Sequence, residues 1–112
     1  MIISVSAAAG TLDAEVDPRF GRCAYFVLVD LETMKFEAFP NVEAKSMHGT
    51  GIEAAQTVAN KGVGVIVTGN VMPNAFEILS AAKIKIIICV NGTVRDVIEK
   101  YKGGKLIPVL TQ

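Results

Sequence analysis

The chain carries one histidine, His48, and two cysteines, Cys23 and Cys89, so its capacity for soft-metal chemistry rests on three side chains. His48 stands in the stretch NVEAKSMHGTGIEAAQ, directly ahead of Gly-Thr-Gly and an alanine-rich apolar run, with the thioether of Met47 beside it. Imidazole, thiolate and thioether suit borderline and soft metal centres, yet nothing here has the clustered spacing by which structural metal sites announce themselves. Neither cysteine belongs to a C-x-x-C pair. A lone histidine in a glycine-containing loop is more often simply solvated or hydrogen-bonded, and a lone cysteine more often a small buried hydrophobe, so both plain readings stand beside ligation. Asp13, Glu15 and Asp17 alternate along one loop. They offer oxygens to a hard cation, or form a solvated acidic loop.

These residues need a scaffold to bring them together. Ile2 to Val5, Val63 to Thr68 and Ile84 to Val90 are apolar runs rich in β-branched residues and read as strands buried on both faces. Tyr25 to Asp30 and Met34 to Phe39 flank Leu31-Glu32-Thr33 and read as a hairpin at a sheet edge. Thr50 with Glu53, and Thr93 with Asp96, have the spacing of a capping box, while Gly62 and Gly103 sit where helices end. Between them a third helix starts at Pro73 and presents Phe76, Leu79 and Ala82; the last helix buries Val94, Val97, Ile98 and Tyr101. The tail from Leu106 to Leu110 forms an edge strand or an extended end.

Three strands, then helix and strand in alternation, define an α/β domain with a mixed five-stranded sheet. The hairpin strands run antiparallel and the later ones parallel, through right-handed crossovers. Counting directions puts residues 7–23, 41–50, 69–73 and 90–93 on one rim, outside the carboxyl ends of the parallel strands, where open α/β sheets bind ligands. The loop 7–23 is long for so small a domain, which favours a functional role. Gly21 is expected to bend it, Phe20 to anchor it, and Arg19 and Arg22 to face outward. His48, Cys23, Arg22, Gly49 and Asn70 are therefore the candidate binding residues, with His48 and Cys23 as candidate metal ligands. Asn70 and Gly49 also fit plain turn chemistry. Cys89, about three strand spacings or roughly 14 Å from the second strand, is not expected to share a site with Cys23.

The totals narrow the partners. A chain of 112 residues supports one domain, spanning 1–112, and eleven basic residues cancel eleven acidic ones. No basic patch invites nucleic acid, and no apolar stretch approaches the ~20 residues that cross a bilayer. The expected setting is cytoplasmic, without membrane attachment.

The blocks VDPRFGRCAYFVLVD, HGTGIEAAQ, GVGVIVTGN followed by PNAFEIL, and IKIIICVNGTV, taken in that order, resemble the dinitrogenase iron-molybdenum cofactor biosynthesis family of NifX, NafY and NifB C-terminal type. The resemblance runs from Ile2 to about Leu106. It implies a ribonuclease H-like fold with helices on both faces of a sheet ordered 3-2-1-4-5, the second strand antiparallel. It also implies a carrier of an iron-sulfur or iron-molybdenum-type cluster or its precursor, working between cluster donor and acceptor proteins as a monomer or weak homodimer, without catalysis. Such cargo is labile and is not expected to survive purification in air. By position His48 matches the family's histidine before glycine, and Cys23 falls where members vary. Where some relatives carry a second histidine ahead of the Phe-Gly pair, this chain has Arg19. A nuclease would need a carboxylate on the first strand, and MIISVS has none. The alternative is a regulatory module binding an anionic small molecule at the Gly49-Thr50-Gly51 helix start, where backbone N–H groups favour negative charge.

Overall fold

The computed structural model describes residues 1–42, 51–89 and 91–106. Its elements run β1 (Ile2–Ala7), β2 (Tyr25–Asp30), β3 (Phe36–Pro40), α1 (Ile52–Asn60), β4 (Val63–Thr68), α2 (Pro73–Ala81), β5 (Lys85–Ile88) and α3 (Val94–Lys102). The sheet order is β3-β2-β1-β4-β5, with β1–β2 and β2–β3 antiparallel and β1–β4 and β4–β5 parallel. This is the architecture expected from the sequence. Among the described residues no helix is long and apolar enough to cross a membrane.

Side-chain alternation on the central strand separates two cores. Ile3, Val5 and Ala7 pack with Val27, Val29, Val65, Val67 and Ile87 against Val94, Val97 and Ile98 of α3. On the opposite face Phe26, Leu28, Ile66 and Ile86 meet Ala54, Ala55 and Val58 of α1 and Ala75 and Leu79 of α2. Small alanines on the two facing helices let them lie close to each other and to the sheet. The middle helix therefore buries Ala75 and Leu79 and half-buries Phe76, while Ala82, expected inside, ends the helix in solvent.

Three boundaries differ from expectation. Met34 adopts a left-handed backbone, φ 62°, and donates its N–H to the Asp30 carbonyl at 2.7 Å, so it belongs to the hairpin turn and β3 starts later. The fifth strand is shorter than the apolar run, because only Lys85–Ile88 have parallel partners on β4. The first helix is capped at Gly51 without a side-chain bond. Thr50, and with it the expected capping box, lies outside the described residues, as does the tail beyond Leu106.

The capping box of α3 forms as its spacing predicts. Thr93 Oγ1 accepts from Asp96 N–H at 3.1 Å, and Asp96 Oδ2 accepts from Thr93 N–H at 3.0 Å. These bonds, with the helix N-terminus, hold the Asp96 carboxyl below its ordinary pKa. Thr93→Ala is expected to cost about 1 kcal/mol, read as a lower urea midpoint at unchanged slope.

Candidate functional site

The carboxyl ends of β1 and β4 lie side by side where the chain's connections diverge, the position at which an open α/β sheet ordinarily leaves a crevice. Here the chain fills that crevice itself. The long loop, residues 8–23, starts on the α3 side, where Ala14 and Val16 join that core. There Val16 N–H donates to the Gly92 carbonyl at 3.1 Å, and Val94 and Arg95 N–H donate to the carbonyls of Ala14 and Leu12 at 2.9 and 2.8 Å. It then crosses the rim. Asp17 N–H donates to the Ser6 carbonyl at 2.8 Å, and Phe20 N–H to the Asn70 carbonyl at 3.2 Å. On the far side Phe20 and Cys23 enter the α1–α2 core, Phe20 with its ring tilted against Phe26 at 5.3 Å between centroids. The loop is thus a strap tying the two cores together over the sheet's end.

Beneath the strap, Ser6 Oγ lies 2.7 Å from the Asp17 carbonyl oxygen and 2.6 Å from Thr68 Oγ1. With the Ser6 hydroxyl donating to the carbonyl, it accepts from Thr68, and both buried hydroxyls are satisfied. Asp17 turns its carboxylate the other way. Oδ1 accepts from Arg19 N–H at 2.9 Å and Arg19 Nε at 3.1 Å, while Oδ2 accepts from Arg19 Nη2 at 3.1 Å. Burial pushes the Asp17 carboxyl up, but the two-point guanidinium, the backbone N–H and the positive charge outweigh it and hold its pKa below 3.8. Arg19 does face solvent, as expected, but its charge is already engaged. Asp13 points elsewhere, accepting from Arg95 Nε at 3.2 Å, so Asp13, Glu15 and Asp17 do not converge. Among the described residues no three His, Cys, Asp or Glu side chains are grouped to hold a metal ion.

The Arg19–Arg22 turn, closed by Arg22 N–H on the Arg19 carbonyl at 3.3 Å, forms the outer wall of the rim. Arg22 is half-buried and Asn70 exposed, and the Arg19–Asn70 pairing keeps the turn against the loop after β4. Met72, two residues after Asn70, and Val42, next to Asn41, expose apolar surface at 49% and 83%. Gly51 closes the arrangement: its φ of 84° suits glycine, and a Cβ there would meet the Phe20 ring at 3.1 Å and Ala75 Cβ at 3.3 Å. The start of α1 therefore sits directly on the strap. His48 and Gly49 lie outside the described residues, three and two positions ahead of that contact.

Cys23 lies deeper than expected. Expected at the mouth as a soft ligand, it is 0% exposed, with its Sγ 3.5 Å from the Phe20 carbonyl it donates to. Burial, then the nearby Asp17 charge, push the thiol up to about 12 despite bonds from Ala7 and Asn41, so in this enclosed setting it keeps its proton. Asn41 fixes it there, its Nδ2 donating to the carbonyls of Gly21 at 3.2 Å and Cys23 at 3.0 Å. The sequence gives no local sign of what Asn41, Ser6 and Thr68 do. Only Asp17-Pro18-Arg19, with the look of an Asx turn, holds a readable signal. Cys89, half-buried, has no disulfide partner.

The described residues thus form a small α/β domain with its sheet crevice strapped shut and an outward-facing rim bordered by the start of α1. The chain belongs to the dinitrogenase iron-molybdenum cofactor family, whose sequence model matches residues 1–104. The apo form of the orange protein from Desulfovibrio gigas is similar at 42% identity and a TM-score of 0.92, covering 97% of this chain and 92% of that one. A candidate NifB protein from Thermotoga is similar at 33% identity and a TM-score of 0.87, covering 99% and 95%. An uncharacterised protein of Methanocaldococcus jannaschii is 30% identical over 94 residues, 81% of this chain and 80% of that protein.

The thiol geometry is directly measurable. Under native conditions at pH 8, iodoacetamide is expected to alkylate Cys89 well before Cys23, with Cys23 reacting only on unfolding. Because the folded thiol holds its proton above the ordinary value of 9.0, the unfolded chain loses it first, and stability falls as pH rises from about 9 through about 12. Cys23→Ala is expected to flatten that part of the pH–stability curve.

Proposed function

We propose that the chain is a non-catalytic carrier that receives an iron-sulfur or iron-molybdenum-type cluster, or a precursor of one, on the strapped rim and passes it to an acceptor protein. The observation that carries this reading is the seating of Gly51 on Phe20 in a chain of this family. It seats the start of α1, three residues after His48 in the sequence, against the strap that carries Arg19 and Arg22. His48 is the proposed protein ligand, with Arg22, Gly49 and Asn70 bordering the guest. Two guanidinium groups against one carboxylate leave the stretch 17–23 net positive, which suits an anionic cluster. Cys23 is proposed as the strap's anchor rather than as a ligand.

The physical logic is that of a site built for release. A single imidazole, assisted by charge and backbone N–H groups, holds a cluster without the multidentate grip of several thiolates. Donor and acceptor proteins then compete for the open coordination positions. The 42%-identical orange protein, solved in an apo form, supports a resident guest in this part of the family.

Anaerobic titration with a synthetic iron-sulfur or iron-molybdenum cluster is expected to give a stoichiometric complex with shifted cluster absorption. His48→Ala should weaken it by at least about tenfold, whereas Cys23→Ala should leave it within a few-fold of the parent. Undiminished binding by the His48 variant removes histidine from the site, and absence of any complex with the parent chain removes the carrier reading.

A further inference from the structure

We propose that the outer edge of β3 is a self-complementary interface through which two copies of this chain join their sheets. The phase of the β2–β3 ladder is fixed at both ends, because Asp30 N–H donates to the Lys35 carbonyl at 2.9 Å and Asn41 N–H donates to the Ala24 carbonyl at 2.9 Å. Antiparallel ladders alternate, so Glu37 and Phe39 spend their backbone groups on β2, as does the Lys35 carbonyl, while the Lys35 N–H donates to Thr33 Oγ1. Phe36 and Ala38 therefore present N–H and C=O outward, and Pro40, which has no N–H to lose, outward as well. No described residue bonds to these outward groups. Phe36, 42% exposed, is among the most exposed large apolar side chains of the sheet.

The sequence along the edge, Lys35-Phe36-Glu37, reads as its own complement. In an antiparallel pair centred on Phe36, the two copies of Phe36 exchange both backbone bonds, and each Lys35 stands opposite a Glu37 of the other copy. The twofold axis of such a pair is normal to the sheet, so like faces meet. Lys35, Glu37 and Phe39 lie on the α1 side, above a groove of about 660 Å³ floored by Ile2, Leu28 and Phe39, with Lys61 Nζ 3.6 Å over the Phe39 ring. The second copy's strand extends this floor across the seam. Phe36 meets its equivalent on the other face.

The same edge carries devices that stop longer pairing. Pro40 closes one end, and the left-handed Met34 closes the other. What remains is a short ladder with one favoured register, which yields a discrete pair rather than an open fibre. Like charges confront one another in the registers that place Lys35 opposite Lys35 or Glu37 opposite Glu37. A second copy is therefore the occupant the edge selects, in preference to an unrelated extended peptide. This surface lies at the hairpin side of the sheet, and the interface does not depend on the rim or its guest.

Sedimentation velocity over a concentration series tests it. The parent chain is expected to show a concentration-dependent dimer. Lys35→Glu and Glu37→Lys should each raise the dissociation constant at least about tenfold, and an equimolar mixture of the two variants should restore dimer, because opposite charges then face each other again at both ends of the seam. Ala38→Pro, which removes only an outward N–H, should also weaken it with the circular dichroism spectrum unchanged. A parent chain that stays monomeric throughout, single variants that dimerise like the parent, or a mixture that fails to recover would each overturn the proposal.

Discussion

The strap formed by residues 8–23 leaves the α3 side through backbone bonds to Gly92 and the start of α3, crosses the ends of β1 and β4, and drops Phe20 and Cys23 into the opposite core. Each core is backed by short helices on its own face of the sheet. A segment anchored in both couples them, so that loosening one end exposes apolar surface at the other. Every feature of the rim takes its position from this crossing.

The crossing also bears on where the proposed site lies. An open sheet of this order would leave a hollow between the first and fourth strands, but Ser6, Thr68 and the Asp17 carbonyl close it with short hydrogen bonds. On the proposed carrier reading a guest sits outward on the strap, toward the start of α1, where surface binding suits transfer between proteins better than retention. The Asp17–Arg19 pair serves the same end, since it stiffens the turn while lying largely in solvent on the arginine side.

Most of the framework was legible in the sequence because its signals are local. Uninterrupted β-branched runs mark strands covered on both faces, Thr93 and Asp96 mark a helix start, and Pro73 marks another. Local signals also misplaced some ends. Phe36 and Phe39, equally apolar in the sequence, fall on opposite sides of a two-sided strand, and a side chain such as Met34 gives no warning that its backbone turns left-handed. Likewise Ala82 continues the apolar character of α2 but sits past its last buried turn.

The candidate site divides along the same line. Residue types and order alone pointed to the family and to the single imidazole ahead of Gly-Thr-Gly, and a direction count led to the expectation that the loops around residues 23 and 48 share one rim. Whether Cys23 faces the guest or the interior depended on which side of the rim the strap comes down. That is set by contacts with Phe26, the α1–α2 layer and Asn41, the last of these eighteen positions further along the chain. Sequence periodicity reports the face a residue takes within a regular element. It is silent in a loop, where burial is decided only when remote surfaces close around the chain.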